Sequence, residues 1–280
     1  MHTPTSQKQL LGQRYGRAAQ PEILWNDTVA HLIAHRSERS FLPTAVSGEE
    51  VATLVAAAQS ASSSSNQHYW SVIAVRDAGT KAKLASFTQG PSMEGKGYDF
   101  VADAPLVLLW VADMSRNLQI AGLGSEEDRI VDYLDSLIMA SVDTALAAQN
   151  AMVAAQAIGL GGVFLGSLRN RSQEIAELMN LPKHSYVVFG MALGRPDPEH
   201  KGSIRPRPPQ QVVLHQEQYI STATDEWLSG YEQAFQDFRT HAGLCEKTWS
   251  DSVKTATSAR YLDGREDLRE TIESQGYSLK

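Results

Sequence analysis

The sequence predicts an α+β fold. Helical periodicity covers more of the 280 residues than strand patterning does. About four runs have strand length, and helical segments, not hairpin turns, separate them. The glycine-rich stretch Gly159-Leu160-Gly161-Gly162 follows a helix and precedes a strand. A dinucleotide fingerprint has the reverse order, so a doubly wound Rossmann sheet is rejected.

Taken in order, residues 1–20 are polar and are expected to form an arm or a frayed helix. From Pro21 the pattern becomes helical, with Ile23, Leu24, Val29, Leu32 and Ile33 at about helical spacing. Ser47-Gly48-Glu49-Glu50 is a capping box, and the helix it opens carries Val51, Leu54, Val55 and Ala58. That helix stops in Ser62-Ser63-Ser64-Ser65-Asn66, where side chains compete for backbone hydrogen bonds. A strand is expected over 70–76, a short helix over 81–88 and a loop over 89–99. The continuous apolar run 106–111 predicts a central strand. Residues 128–158 predict a long helix whose alanines (140, 147, 148, 151, 154 and 155) admit a close neighbour, in the core or at a subunit interface. Strands over 161–166 and 186–193 flank a helix over 173–179, and 197–209 is proline-rich and extended. Trp227, Tyr231, Phe235 and Phe238 mark a helix with an aromatic face. The domain reading is an arm at 1–20, one domain at 21–250 and a helical tail at 251–280.

The formal net charge of −7 argues against a general nucleic-acid binder, which needs surplus Lys and Arg to displace counterions. Cys245 is the single cysteine, so no intramolecular disulfide forms. The eight histidines are scattered, giving a metal site little support. Residues 1–20 have no apolar leader pattern, and acidic and amide side chains interrupt the stretch 134–166. The expectation is a cytoplasmic protein with no membrane span.

Three polar clusters carry possible chemistry. His35, Arg36, Ser37 and Arg39 place two guanidinium groups and a hydroxyl within five residues, suited to chelating a phosphate or, taken alone, to a solvated helix end. Arg205-Pro206-Arg207-Pro208-Pro209 is a stiff extended segment whose alternation puts both guanidinium groups on one side. It also fits a basic surface loop or a ligand for a peptide-binding module. The serine run, with Asn66 and Gln67, offers hydroxyls and amides to a heteroaromatic ring, or is a linker. Gly166 and Ser167, at a strand end, leave backbone bare for a flat ligand. No nucleophile triad is present, and Asp135 fits a helix surface better than a general acid.

In order, the chain has His-Arg-Ser-x-Arg, the serine run, Ala104-Pro105 opening a strand that ends Ala112-Asp113, and Val142-Asp143-Thr144-Ala145 with Gln149-Asn150. Then come Gly-Leu-Gly-Gly-Val-Phe-Leu-Gly-Ser-Leu-Arg-Asn, Arg-Pro-Arg, and Thr248-Trp249-Ser250-Asp251. This series, from about His31 to Asp251, resembles the oxygen-insensitive NADPH nitroreductase and NADPH–flavin oxidoreductase group of the nitroreductase superfamily. The resemblance implies a mostly antiparallel sheet between helices and an intertwined homodimer with FMN at its interface. By position, it implies that His35, Arg36, Ser37, Arg39, Arg205 and Arg207 hold the phosphate, ribityl chain and pyrimidine edge. It implies that Ser63, Ser64 and Ser65, with Gln67 beside them, reach the flavin of the other subunit. It implies separately that Leu165, Gly166 and Ser167 line the isoalloxazine. Asp135 falls where the family has a substrate-facing glutamate. Two departures stand out. Tyr98, or Gln89 across an insertion, sits where a flavin-contacting glutamine is usual. The loop 239–247 keeps Arg239, His241 and Lys247 as partners for a nicotinamide 2′-phosphate but adds Glu246, which repels it.

The expected activity is a ping-pong transfer of hydride from NADPH or NADH to FMN, then of two electrons to a nitroaromatic, a quinone or free flavin. The flavin carries the chemistry, which explains the missing triad. A flavin-binding carrier or sensor without turnover is the alternative, and bleaching by nicotinamide separates the two.

Overall fold

The structure, a computed structural model, describes residues 6–16, 20–90, 98–124, 128–221 and 224–280. The chain divides into two compact units. One is Met1–Ser37 with Gly202–Tyr261, and the other is Glu38–Lys201 with Leu262–Lys280.

The larger unit is built on a four-stranded antiparallel sheet in the order β1-β2-β4-β3, with β1 Trp70–Val75, β2 Leu106–Asp113, β3 Gly161–Leu165 and β4 Ser185–Gly194. All eight residues of β2 are buried, as its unbroken apolar run predicts for a central strand. Its side chains alternate. Leu106, Leu108 and Trp110 enter one core with Leu54 and Ala58 of α3 (Gly48–Gln59) and Ala147, Ala148, Ala151 and Ala155 of α7 (Leu134–Ala157). Val107, Leu109 and Val111 enter the core on the opposite face, with Leu84 of α4 (Ala78–Phe87), Val101 of α5 (Asp99–Asp103), Leu168, and Ile175 of α8 (Ser172–Leu178). The sheet therefore lies between two helical layers, with the period of two setting which side chains face each.

The capping box is present: Glu50 N–H bonds Ser47 Oγ, and the Glu50 carboxylate accepts from Ser47 N–H. The glycines after α7 stop it as expected. Gly159 is left-handed (φ 83°) and Leu160 N–H returns to the Ala155 carbonyl.

Several boundaries differ from the sequence expectation. α7 begins at Leu134, not near Asp128, because Ile130–Asp132 forms a separate 3-10 turn. Part of the expected loop 89–99, residues 91–97, lies outside the described residues, and Asp99 already opens α5. α6 (Ser115–Ala121) was not anticipated. Residues 262–280 join the larger unit: Ile272 of α11 (Leu268–Ser274) and Tyr277 are buried with Met114, Val131 and Tyr186.

In the smaller unit, residues 7–15 are a helix, α1, with Leu10, Leu11 and Arg14 buried. The helix expected from Pro21 starts six residues later, as α2 (Asp27–Ile33). Asn26 accepts from Val29 N–H and so caps it, and Leu24 is exposed ahead of it. α9 (Leu228–His241) carries the aromatic face: Tyr231 touches Trp227 and Phe235, and Phe235 touches Phe238. Trp249, which opens α10 (Trp249–Ala256), meets Tyr231 edge-on.

Candidate functional site

The smaller unit brings the two arginine-bearing segments together. Beyond α2 the chain runs without regular structure through His35, Arg36 and Ser37, all half-buried. In 205–207, Pro206 is buried while Arg205 and Arg207 are exposed on either side, the alternation expected of an extended Arg-Pro-Arg. Tyr231 Oη donates to the Pro206 carbonyl, and the Arg205 guanidinium stands 5.9 Å from the Phe238 ring centre. The link between segments is Arg14, which sequence reasoning missed. Its Nη2 donates to the carbonyls of Ile33 and His35, each at 2.7 Å, and its Nη1 to that of Arg205 at 2.7 Å. Arg207 N–H donates back to the Arg14 carbonyl. Burial, then the neighbouring charge of Arg207, pushes the Arg14 pKa down to about 10.

In the same unit, the Arg239 guanidinium donates to the carbonyl of Cys245 (2.7 Å) and lies over the Phe235 ring. Lys247 is half-buried and His241 exposed. Glu232 accepts from Trp249 N–H and from Ser250, which fixes the start of α10. Burial raises the Glu232 pKa, but the bonds from Ser250 and Trp249 outweigh it and hold the group below its ordinary value.

In the larger unit, Arg39 is exposed beside the buried Glu38. The serine run forms a tight turn held by Asp143, a 1 % exposed carboxylate on α7. Asp143 accepts from Ser63 Oγ (2.9 Å), Ser64 Oγ (2.8 Å) and Ser64 N–H (2.9 Å). Ser65, Asn66 and His68 are all left-handed (φ 49°, 58° and 54°). Ser65 and Gln67 are exposed, with Gln67 Nε2 donating to the Ser65 carbonyl. The hydroxyls of Ser63 and Ser64 are thus engaged within the chain, and the outward residues of the turn are Ser65, Asn66, Gln67 and His68.

Leu165 ends β3, buried, and Gly166 and Ser167 follow half-buried. A methyl group at Gly166 would stand 3.5 Å from Arg169 Nη2, an ordinary contact, so packing within the chain does not demand a glycine there. Ser167 Oγ is buried without a hydrogen-bond partner among the described residues. Asp135 is exposed in the first turn of α7. Tyr98 is exposed and stacks on Phe100, while Gln89 is half-buried.

Taken separately, each unit offers something that a flavin mononucleotide needs. In the smaller unit, exposed arginines on either side of a buried proline suit its phosphate. A glycine unneeded for packing and an orphaned buried hydroxyl suit a flat polar ring.

Two family models match the chain: the nitroreductase family over residues 32–195, and the nitroreductase family C-terminal domain over 205–280. The second match reaches Lys280, so the likeness continues past Asp251, where the sequence motifs end. Among curated relatives, an NADPH-flavin oxidoreductase of Vibrio harveyi is 33% identical over 230 residues, 81% of this chain and 90% of the relative. An oxygen-insensitive NADPH nitroreductase of Salmonella typhimurium is 31% identical over 90% of this chain and 99% of the relative. Among solved structures, NADPH:FMN oxidoreductase from Vibrio harveyi complexed with NAD+ superposes with a TM-score of 0.77 at 31% identity. It covers 91% of this chain and 100% of that one. Nitroreductase A from Vibrio parahaemolyticus gives a TM-score of 0.78 at 30% identity, with the same coverage.

Proposed function

The chain belongs to the nitroreductase family, and from that membership we propose how its residues serve an FMN-dependent NAD(P)H oxidoreductase. When bound, FMN would supply the redox chemistry: hydride acceptance from NADPH or NADH and, in a separate half-reaction, two-electron reduction of a nitroaromatic, a quinone or free flavin. The protein's work is to bind, orient and shield.

In this reading His35, Arg36, Ser37, Arg205 and Arg207 of the smaller unit hold the phosphate and ribityl chain. In the larger unit, Leu165, Gly166 and Ser167 line the ring, Ser167 Oγ bonds its polar edge, and Arg39 supplies positive charge to the pyrimidine side. Ser65 and Gln67, exposed on the serine turn, reach the cofactor of a second subunit, while Ser63 and Ser64 hold the turn in shape. The enzyme works as a homodimer in the cytoplasm. Asp135 and Lys247 contact the incoming nicotinamide or oxidant. Arg239, turned to the Cys245 carbonyl, shapes the loop that carries Lys247.

The observation that carries the phosphate assignment is the junction at Arg14, where two arginine-bearing segments 170 positions apart in numbering (35 to 205) share one buried donor. Charge-assisted hydrogen bonds are worth roughly 1.5–3 kcal/mol each. An Arg205→Ala/Arg207→Ala variant is therefore expected to purify largely colourless, with FMN affinity reduced at least about a hundred-fold. Wild-type protein is expected to be yellow and to bleach on anaerobic addition of NADPH or NADH. A double variant that retains its full flavin spectrum rules out the phosphate assignment, and a yellow protein that no nicotinamide bleaches rules out the turnover.

A further inference from the structure

Helix α1 lies outside both stretches that match the family models, the first of which begins at residue 32. Its end is nonetheless seated in the smaller unit. Gly16, left-handed at φ 74°, closes the helix, and a methyl group there would stand 3.1 Å from Ala234 Cβ on α9. Arg14, two residues earlier, is only 6 % exposed.

Burying a guanidinium costs several kcal/mol of hydration unless its donors are satisfied. The donors of Arg14 are satisfied in an unusual way. All four of its hydrogen bonds go to backbone carbonyls: Nε and Nη2 to Ile33, Nη2 to His35 and Nη1 to Arg205. No carboxylate pairs with it among the described residues. The chain also closes in the other direction, through Arg207 N–H to the Arg14 carbonyl at 2.7 Å. One planar fork thus bonds the start of the His-Arg-Ser segment and the start of Arg-Pro-Arg together. Its charge adds to that of Arg207, and two like charges this close favour an anion beside them.

We propose that Arg14, delivered by a helix outside the family-matched residues, is a positioning residue: it locks the segments 35–37 and 205–207 into one arrangement and thereby sets the affinity for the cofactor's phosphate. The inference rests on the phosphate reading above. Lysine cannot replace the fork, because one ammonium on a flexible stem does not span three carbonyls in fixed directions.

The test compares FMN with riboflavin, which has the same ring and no phosphate, by quenching of flavin fluorescence on the apoprotein. In wild type FMN binds more tightly than riboflavin. In Arg14→Met the FMN Kd is expected to rise about ten-fold or more while the riboflavin Kd stays put. Arg14→Lys, which keeps the charge, is expected to fall between. Amide exchange should speed up in the variants over 33–37 and 205–207. Equal weakening of both ligands would mean a general folding role and overturns the inference. So does an unchanged FMN Kd in Arg14→Met when Arg205→Ala/Arg207→Ala abolishes the FMN advantage. If that double variant keeps the advantage, the phosphate reading itself fails and takes the role of Arg14 with it. Should Arg14→Met not fold, Arg14→Lys decides: full FMN affinity there overturns the proposal.

Discussion

Asp143 shows how much one buried side chain governs. It accepts from Ser63 Oγ, Ser64 Oγ and Ser64 N–H, and the turn that it grips contains three left-handed non-glycine residues, of which Ser65 is the least suited to that backbone. Hydrogen bonds to a charged group are worth roughly 1.5–3 kcal/mol, and stranded buried donors cost about 1–3 kcal/mol. Asp143→Ala is therefore expected to lose roughly 2–4 kcal/mol of stability by urea denaturation, and Asp143→Asn less, since an amide keeps one acceptor oxygen. An Asp143→Ala midpoint equal to wild type would show that the turn holds itself. Legibility in the sequence differed sharply among these residues. His-Arg-Ser-x-Arg and Arg-Pro-Arg stood out because paired guanidinium groups can chelate a phosphate, and each gained its weight from standing in order with the other motifs. Arg14 did not, and Asp143 stood only within the motif Val142–Ala145 with no role attached, for a physical reason. Their partners are backbone carbonyls, or hydroxyls 79 and 80 residues away, and neither leaves a local pattern.

Among elements, the strands were the most legible and the chain ends the least. β2 announced itself as an uninterrupted apolar run because both its faces are covered, and β3 because glycines stop α7 just before it. Residues 250–280 are polar by composition, yet Ile272 and Tyr277 are buried, since a few apolar anchors suffice to seat a short helix against an existing core. The anchor is specific. Tyr277 Oη donates to the His184 carbonyl and His184 N–H to the Gln275 carbonyl, while Gly276, at φ 102°, faces the His184 ring. A methyl group at Gly276 would stand 2.9 Å from His184 Nε2 on a backbone that only glycine adopts easily, so Gly276→Ala is expected to cost about 1–3 kcal/mol. A Gly276→Ala melting temperature at or above wild type would contradict this packing. Burial, then the charge of Arg129, holds the His184 pKa below its usual 6.5. The fold thus favours neutral imidazole, and as pH falls below 6.5 the unfolded chain takes up a proton first. Stability contributed by His184 is present above 6.5 and declines as pH drops toward its folded value. Urea midpoints at pH 7 and pH 5.5 should therefore fall further apart in wild type than in His184→Asn, whose amide tolerates the left-handed backbone (φ 61°) and does not titrate. Equal slopes would remove His184 from the pH response.

At the scale of the whole molecule, α7 carries an ambiguity that periodicity alone cannot resolve, because two of its faces are apolar. The sequence left open whether its alanines serve the core or a subunit interface. The structure turns Ala140, Ala147, Ala148, Ala151 and Ala155 inward, since small side chains let the helix approach the sheet and α3 closely. It leaves the large residues outside: Leu134, Ile138, Val142 and Leu146, spaced by four, are each 43–52% exposed. Residues four apart share a helix face, so these four form one continuous apolar stripe about three turns long. A monomer seldom presents such a stripe to water. In a homodimer, the symmetry that pairs like surfaces would set two copies of it face to face. An Ile138→Glu/Val142→Glu variant places carboxylates on that face without touching the alanine core. Facing like charges cost several kcal/mol, so the variant is expected to sediment as a monomer with an unchanged far-ultraviolet circular dichroism spectrum, against a wild type of twice the mass. Because Ser65 and Gln67 are proposed to reach the cofactor of the second subunit, FMN affinity should fall along with the association. A variant that stays dimeric would move the interface elsewhere on the surface, and a monomeric wild type would dismiss the shared cofactor site altogether.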